Sequence, residues 1–88
     1  MDLKSIPILM HGCRLHQTQD VLLMPESTLE LNGTSRDALA LVDGRRDVAA
    51  IVQSLLEEYA GAPEAEVRTD VLALLHELSQ RGVVRERT

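Results

Sequence analysis

The sequence predicts an α+β domain in which a three-stranded antiparallel sheet is followed by three helices, and three observations predict it. Strand-like runs crowd the stretch from Arg14 to Asn32, the hydrophobic period changes once near Thr34, and from there to Arg81 the apolar residues recur at helical spacing. The links between the strand-like runs are only a few residues long. Such links join antiparallel neighbours, because a parallel pair needs a crossover of a dozen residues or more.

Residues 1–13 contain Pro7 and Gly12 and show no periodicity, so they are expected to form an extended arm. Its Ile6, Ile8 and Leu9 can either pack on the domain or reach a partner. The first strand is placed around Leu15, between Arg14 and His16, and the polar cluster Gln17-Thr18-Gln19-Asp20 reads as a turn. Val21 to Met24 is a continuous apolar run of strand length stopped by Pro25. In the third strand, Leu29 and Leu31 alternate with Thr28, Glu30 and Asn32, the pattern of one buried and one wet face.

The first helix is expected from Thr34, with Thr34 or Ser35 as its cap, Asp37 in its first turn and Gly44 as its stop. Asp47 caps the second. There Val48, Ile51, Val52, Leu55, Leu56 and Tyr59 form one uninterrupted apolar stripe before Gly61. Pro63, Glu64 and Glu66 open the third helix, which is expected to run from Glu64 to Arg81 and to stop at Gly82. Its main stripe is Val67, Val71, Leu74, Leu75 and Leu78, and Leu72 with Arg68 forms a second shoulder beside it. Val83 and Val84 can add a strand or cover the base of the core. Residues 14–84 are therefore expected to form a single domain, with 85–88 as a tail, in an order that resembles a winged helix-turn-helix.

Composition narrows the functions open to such a domain. The 88 residues carry 14 acidic and 9 basic side chains, a formal net charge of −5, and Tyr59 is the sole aromatic. The field repels phosphate backbones, and there is no aromatic platform on which bases could stack. A winged-helix DNA-binding regulator is the alternative this fold raises, but Glu64, Glu66, Asp70 and Glu77 outweigh Arg68 and Arg81 on the helix that would enter the groove. One cysteine sets no oxidative demand on folding, and the short apolar run broken by Pro7 is too short for a membrane span and lacks the basic start and long apolar centre of a signal peptide. The chain is expected to be cytoplasmic.

Catalytic and metal chemistry find little support. His11, Cys13 and His16 include two common zinc ligand types, but they lack a fourth ligand and the paired knuckle that makes such spacing specific. No phosphate loop or nucleophile elbow is present. No cofactor, metal or enzymatic activity is expected. What remains is a surface that binds a peptide or protein: if the sheet has only three strands, an open edge on the third strand, beside the shoulder of Arg68, Leu72 and Leu75, has the geometry of strand addition. The alternative use of Leu72, packing on the arm or on a second copy of the chain, stays open, and so does a homodimer.

The residues also resemble a known family. Val21-Leu22-Leu23-Met24-Pro25-Glu26, Leu29-Glu30-Leu31-Asn32, Asp43-Gly44-Arg45, the spaced Ile51, Leu55 and Tyr59, and Asp70-Val71-Leu72 with Leu75, Leu78 and Gly82 are similar in order and spacing to PqqD, from about Ile6 to Val84. That resemblance implies a chaperone of pyrroloquinoline quinone (PQQ) biosynthesis. It implies binding of the precursor peptide PqqA and its presentation to the radical-SAM enzyme PqqE, which would hold the cofactors of the cross-linking step. It also implies that the peptide adds to the third strand and lies against the third helix, here Thr28, Leu29, Glu30, Leu31 and Asn32 with Arg68, Leu72 and Leu75. Many relatives carry an aromatic residue in or near the first hairpin, for instance just before the Pro-Glu pair, where this chain has Met24 and a hairpin with none.

Overall fold

The alternating residues before Asn32 close into a meander whose central strand is the most deeply covered. The structure, a computed structural model, describes residues 1–87. Its elements are β1 (Pro7–Leu9), β2 (Arg14–Leu15), β3 (Val21–Leu23), β4 (Thr28–Glu30), α1 (Gly33–Ala40), α2 (Val48–Glu58), α3 (Glu64–Gln80) and β5 (Val84–Glu86). The antiparallel order β2-β3-β4 sets Leu15 and Leu29 on either side of Leu22, which is fully excluded from solvent. The three-stranded sheet and three helices have the expected α+β arrangement.

Core formation follows the stripes. Leu39 of α1, Ile51 and Leu55 of α2, and Val71, Leu75 and Leu78 of α3 are all buried against Leu22 and Val48 in one cluster. Each such side chain contributes about 1.5–3 kcal/mol on full burial. Arg36 ties α1 to the β2–β3 turn, donating to the carbonyls of His16 at 2.7 Å, Gln17 at 3.3 Å and Gln19. That staple sets where α1 begins relative to the sheet.

Three boundaries differ from the expectation. Asn32, expected as the last strand residue, is the N-cap of α1: its side chain accepts from the Ser35 amide at 2.7 Å, a task expected of Thr34 or Ser35. Asparagine is among the strongest capping residues, so the strand ends at Glu30. Helix α1 stops at Ala40 instead of Gly44, because Asp43 folds the following loop by accepting from the Arg45 and Arg46 amides at 2.9 Å each. Gly44 serves a different purpose. Its φ of +76° and the approach of Ile8 Cδ1 to 3.2 Å of where a Cβ would stand leave room for glycine alone.

The two ends of the chain also form structure together. Within the segment 1–13, β1 pairs antiparallel with β5, Pro7 opposite Glu86 and Leu9 opposite Val84. Strand β5 reaches two residues into the segment 85–88 expected as a tail, whose last residue, Thr88, lies outside the described residues. Ahead of β1, the carbonyls of Ser5 and Leu3 accept from the Val48 and Ala49 amides at 2.9 and 3.0 Å, so the start of the chain closes the first turn of α2. Val83, just before the ribbon, and Val84, its first β5 residue, are buried in the core.

Candidate peptide-binding groove

Among the described residues strand β4 has β3 as its single strand neighbour, which leaves its other edge unpaired. Two main-chain bonds set which groups face that edge. The Leu31 amide donates to the Asp20 carbonyl at 2.8 Å, and the Met24 amide donates to the Ser27 carbonyl at 3.0 Å. In an antiparallel ladder the bonded residues alternate, so Ser27, Leu29 and Leu31 turn their main-chain groups toward β3. Thr28 and Glu30 therefore turn theirs to the open edge. The side chains follow the other period: Leu29 and Leu31 pack on the core, while Thr28 and Glu30 are exposed.

Where β4 ends, Asn32 opens a groove of about 550 Å³ between the start of α1 and α3. Ala38, Leu55 and Val71 form its floor, and Val67 and Leu74 of α3 its apolar wall. Asn32, Thr34 and Ser35 make the polar rim on one side, with Asp70 and Glu77 on the other. Tyr59 stands at one end, its hydroxyl donating to Asp37 of α1. That bond favours the neutral phenol, and partial burial with the nearby Asp37 and Glu58 charges adds to it, so the Tyr59 hydroxyl titrates above the ordinary tyrosine range.

The expected site residues divide between two faces. Thr28, Leu29, Glu30 and Leu31 lie on or directly after the open strand, and Asn32 joins it to the groove. Leu75 is 1% exposed and belongs to the core, while Leu72 and Arg68 are half-buried and do not line the groove. At ~100° per residue, Leu72 and Leu74 lie about 160° apart on α3, one on each side of the Val71-Leu75-Leu78 stripe. The groove uses the Leu74 side. Val67, Asp70 and Leu74 line it at i, i+3 and i+7: periodicity placed Val67 and Leu74 in the core stripe and left Asp70 out, and none of the three was expected at the site. The signal for them is Ala38, a residue too small to cover α3 where α1 passes it.

Of the residues His11, Cys13 and His16, two have local tasks and His11 is exposed. The His16 ring accepts at Nδ1 from the Thr18 and Gln19 amides at 3.1 and 3.0 Å, closing the β2–β3 turn. Cys13 is half-buried against the core. Among the described residues no three His, Cys, Asp or Glu side chains are grouped to hold a metal ion, and no helix is long and apolar enough to cross a membrane.

Comparison with known proteins places this geometry. The family model for PqqD, coenzyme PQQ synthesis protein D, matches residues 20–84. The chain belongs to the PqqD family. Among its PqqD relatives, the PqqA binding protein of Pseudomonas aeruginosa strain UCBPP-PA14 is 44% identical over 77 residues, covering 83% of this chain and 82% of that protein. The bifunctional coenzyme PQQ synthesis protein C/D of Methylorubrum extorquens is 37% identical over 84 residues, which are 91% of this chain and 22% of the fused protein. The PqqD fold itself recurs in the solution NMR structure of the PqqD truncation of Methylobacterium extorquens PqqCD, described as a functional, stand-alone recognition element for ribosomally synthesised and modified peptides. It matches with a TM-score of 0.73 at 36% identity, covering 90% of this chain and 87% of that one.

Proposed function

We propose that this chain binds the precursor peptide PqqA as an added strand on β4 and presents it to the radical-SAM enzyme PqqE. The observation that carries the reading is the free edge of β4, whose outward main-chain groups at Thr28 and Glu30 lead through Asn32 into the groove. An extended peptide laid there gains main-chain bonds from the edge, while its side chains enter the groove along α3. The names of the PqqA-binding relatives support the choice of peptide. On this reading Leu29 and Leu31 hold the strand to the core and Leu75 supports α3 from beneath. Arg68 and Leu72, on the other shoulder, are left free to meet the enzyme.

We assign no catalytic step to the chain, and its half-buried single cysteine suits a cytoplasmic site of action. A second copy pairing at the same edge of β4 would form a homodimer that competes with the peptide. Calorimetric titration with synthetic PqqA, with a short duplex DNA in parallel, tests the proposal. Saturable one-to-one peptide binding with silence toward DNA is expected. Peptide binding that weakens as protein concentration rises identifies the competing homodimer, and binding to DNA alone overturns the reading in favour of a winged-helix regulator.

A further inference from the structure

The groove has a charge pattern that the strand edge does not explain. Its apolar wall is bordered by two carboxylates, and among the described residues no lysine or arginine lines it. Glu77 is already engaged, with Arg81 Nη2 at 3.3 Å from its Oε1. Asp70 has neither an ion pair nor a side-chain hydrogen bond among the described residues. It stands on α3 one turn after Val67 and one turn before Leu74, both of which face the same space.

Resting on the peptide-binding reading above, we propose that the groove selects a segment carrying a lysine or arginine and that Asp70 receives its charged end. A long basic side chain can lay its methylenes on Val67 and Leu74 while its head stays at the rim, which is how amphipathic side chains bury a stem and keep a charge wet. An acidic side chain in the same place would meet Asp70, Glu77 and a chain of net charge −5. The occupant is thus an extended basic segment, and the discrimination lies on the helix side of the site. The strand side, made of main-chain groups, accepts any sequence that can extend.

The test is a double-mutant cycle by calorimetry at low ionic strength, where a rim ion pair is least screened. Synthetic PqqA and versions with each lysine or arginine singly replaced by norleucine or citrulline are titrated into the wild-type chain, Asp70→Asn and Asp70→Lys. One neutral replacement is expected to weaken binding to the wild type by about three- to fivefold, the range of a partly exposed ion pair, and to have no further effect on Asp70→Asn. Asp70→Lys is expected to weaken the parent peptide more than Asp70→Asn does. Equal affinity of the parent peptide for wild type and Asp70→Asn, or replacement losses that are the same on both, overturns the inference while leaving strand addition in place. A wild-type chain that binds no peptide at all overturns the proposed function and this inference with it.

Discussion

Glu30 and Leu31 are neighbours on one strand, yet proline would act on them in opposite ways. The Leu31 amide bonds inward to Asp20, so Leu31→Pro removes a rung of the sheet. A loss of about 1–3 kcal/mol in a urea melt is expected from the orphaned carbonyl. The Glu30 amide points to the open edge, where proline is tolerated because no internal bond is lost. Glu30→Pro should leave the melt within about 0.5 kcal/mol of wild type. It should weaken PqqA by at least about tenfold, one hydrogen bond plus the ring's obstruction of pairing; an unchanged affinity would place the peptide elsewhere. Asp43 offers a pH-dependent case. The Arg46 and Arg45 amides, bonded to its carboxylate, hold its pKa below the ordinary aspartate value. The stability it adds is full above that ordinary value and is lost as pH falls through the lowered one. Melts of wild type and Asp43→Ala should therefore differ at neutral pH and converge in acid.

Among the elements, α2 shows how much a short N-terminal segment can matter. Asp47 accepts from the Ala50 amide at 2.8 Å, and the carbonyls of Ser5 and Leu3 take the two amides before it. Removing residues 1–6 leaves those two donors to water and strips the partly buried Met1 and Leu3 from the core. A loss of about 2–4 kcal/mol is expected by urea denaturation, from capping and burial together; a truncated chain with wild-type stability would make the segment a dispensable arm. This same helix was the most legible element in the sequence, because its cap and its stripe of Ile51, Val52 and Leu55 are local features. The β1–β5 ribbon was not legible, since Pro7 finds its partner at Glu86 and three residues are too few to show a period. The site divided along the same line. The alternation of Leu29 and Leu31 revealed the strand that is open. The stripe on α3 could not reveal which of its shoulders is covered, because that depends on where Arg36 anchors α1 and on the small side chain at Ala38.

Taken whole, the molecule rests on one cluster to which every helix and the central strand contribute. At about 0.05–0.15 kcal/mol per residue a chain of 88 residues has a total stability of about 4–13 kcal/mol. Leu75→Ala, at a side chain that is 1% exposed, is expected to remove about 2–5 kcal/mol of it while the urea transition stays single. Two separate transitions would mean that the sheet and the helices unfold apart. The ribbon at the ends has a further bearing on how the domain is deployed. The Arg87 amide bonds the Ile6 carbonyl at 2.7 Å, so the β1–β5 ribbon brings the beginning and end of the fold together. A second protein joined through residues 1–5 or beyond Arg87 would hang from two strands that are hydrogen-bonded to each other. With a short flexible linker its effective concentration would be millimolar, set by linker length and little affected by gene order.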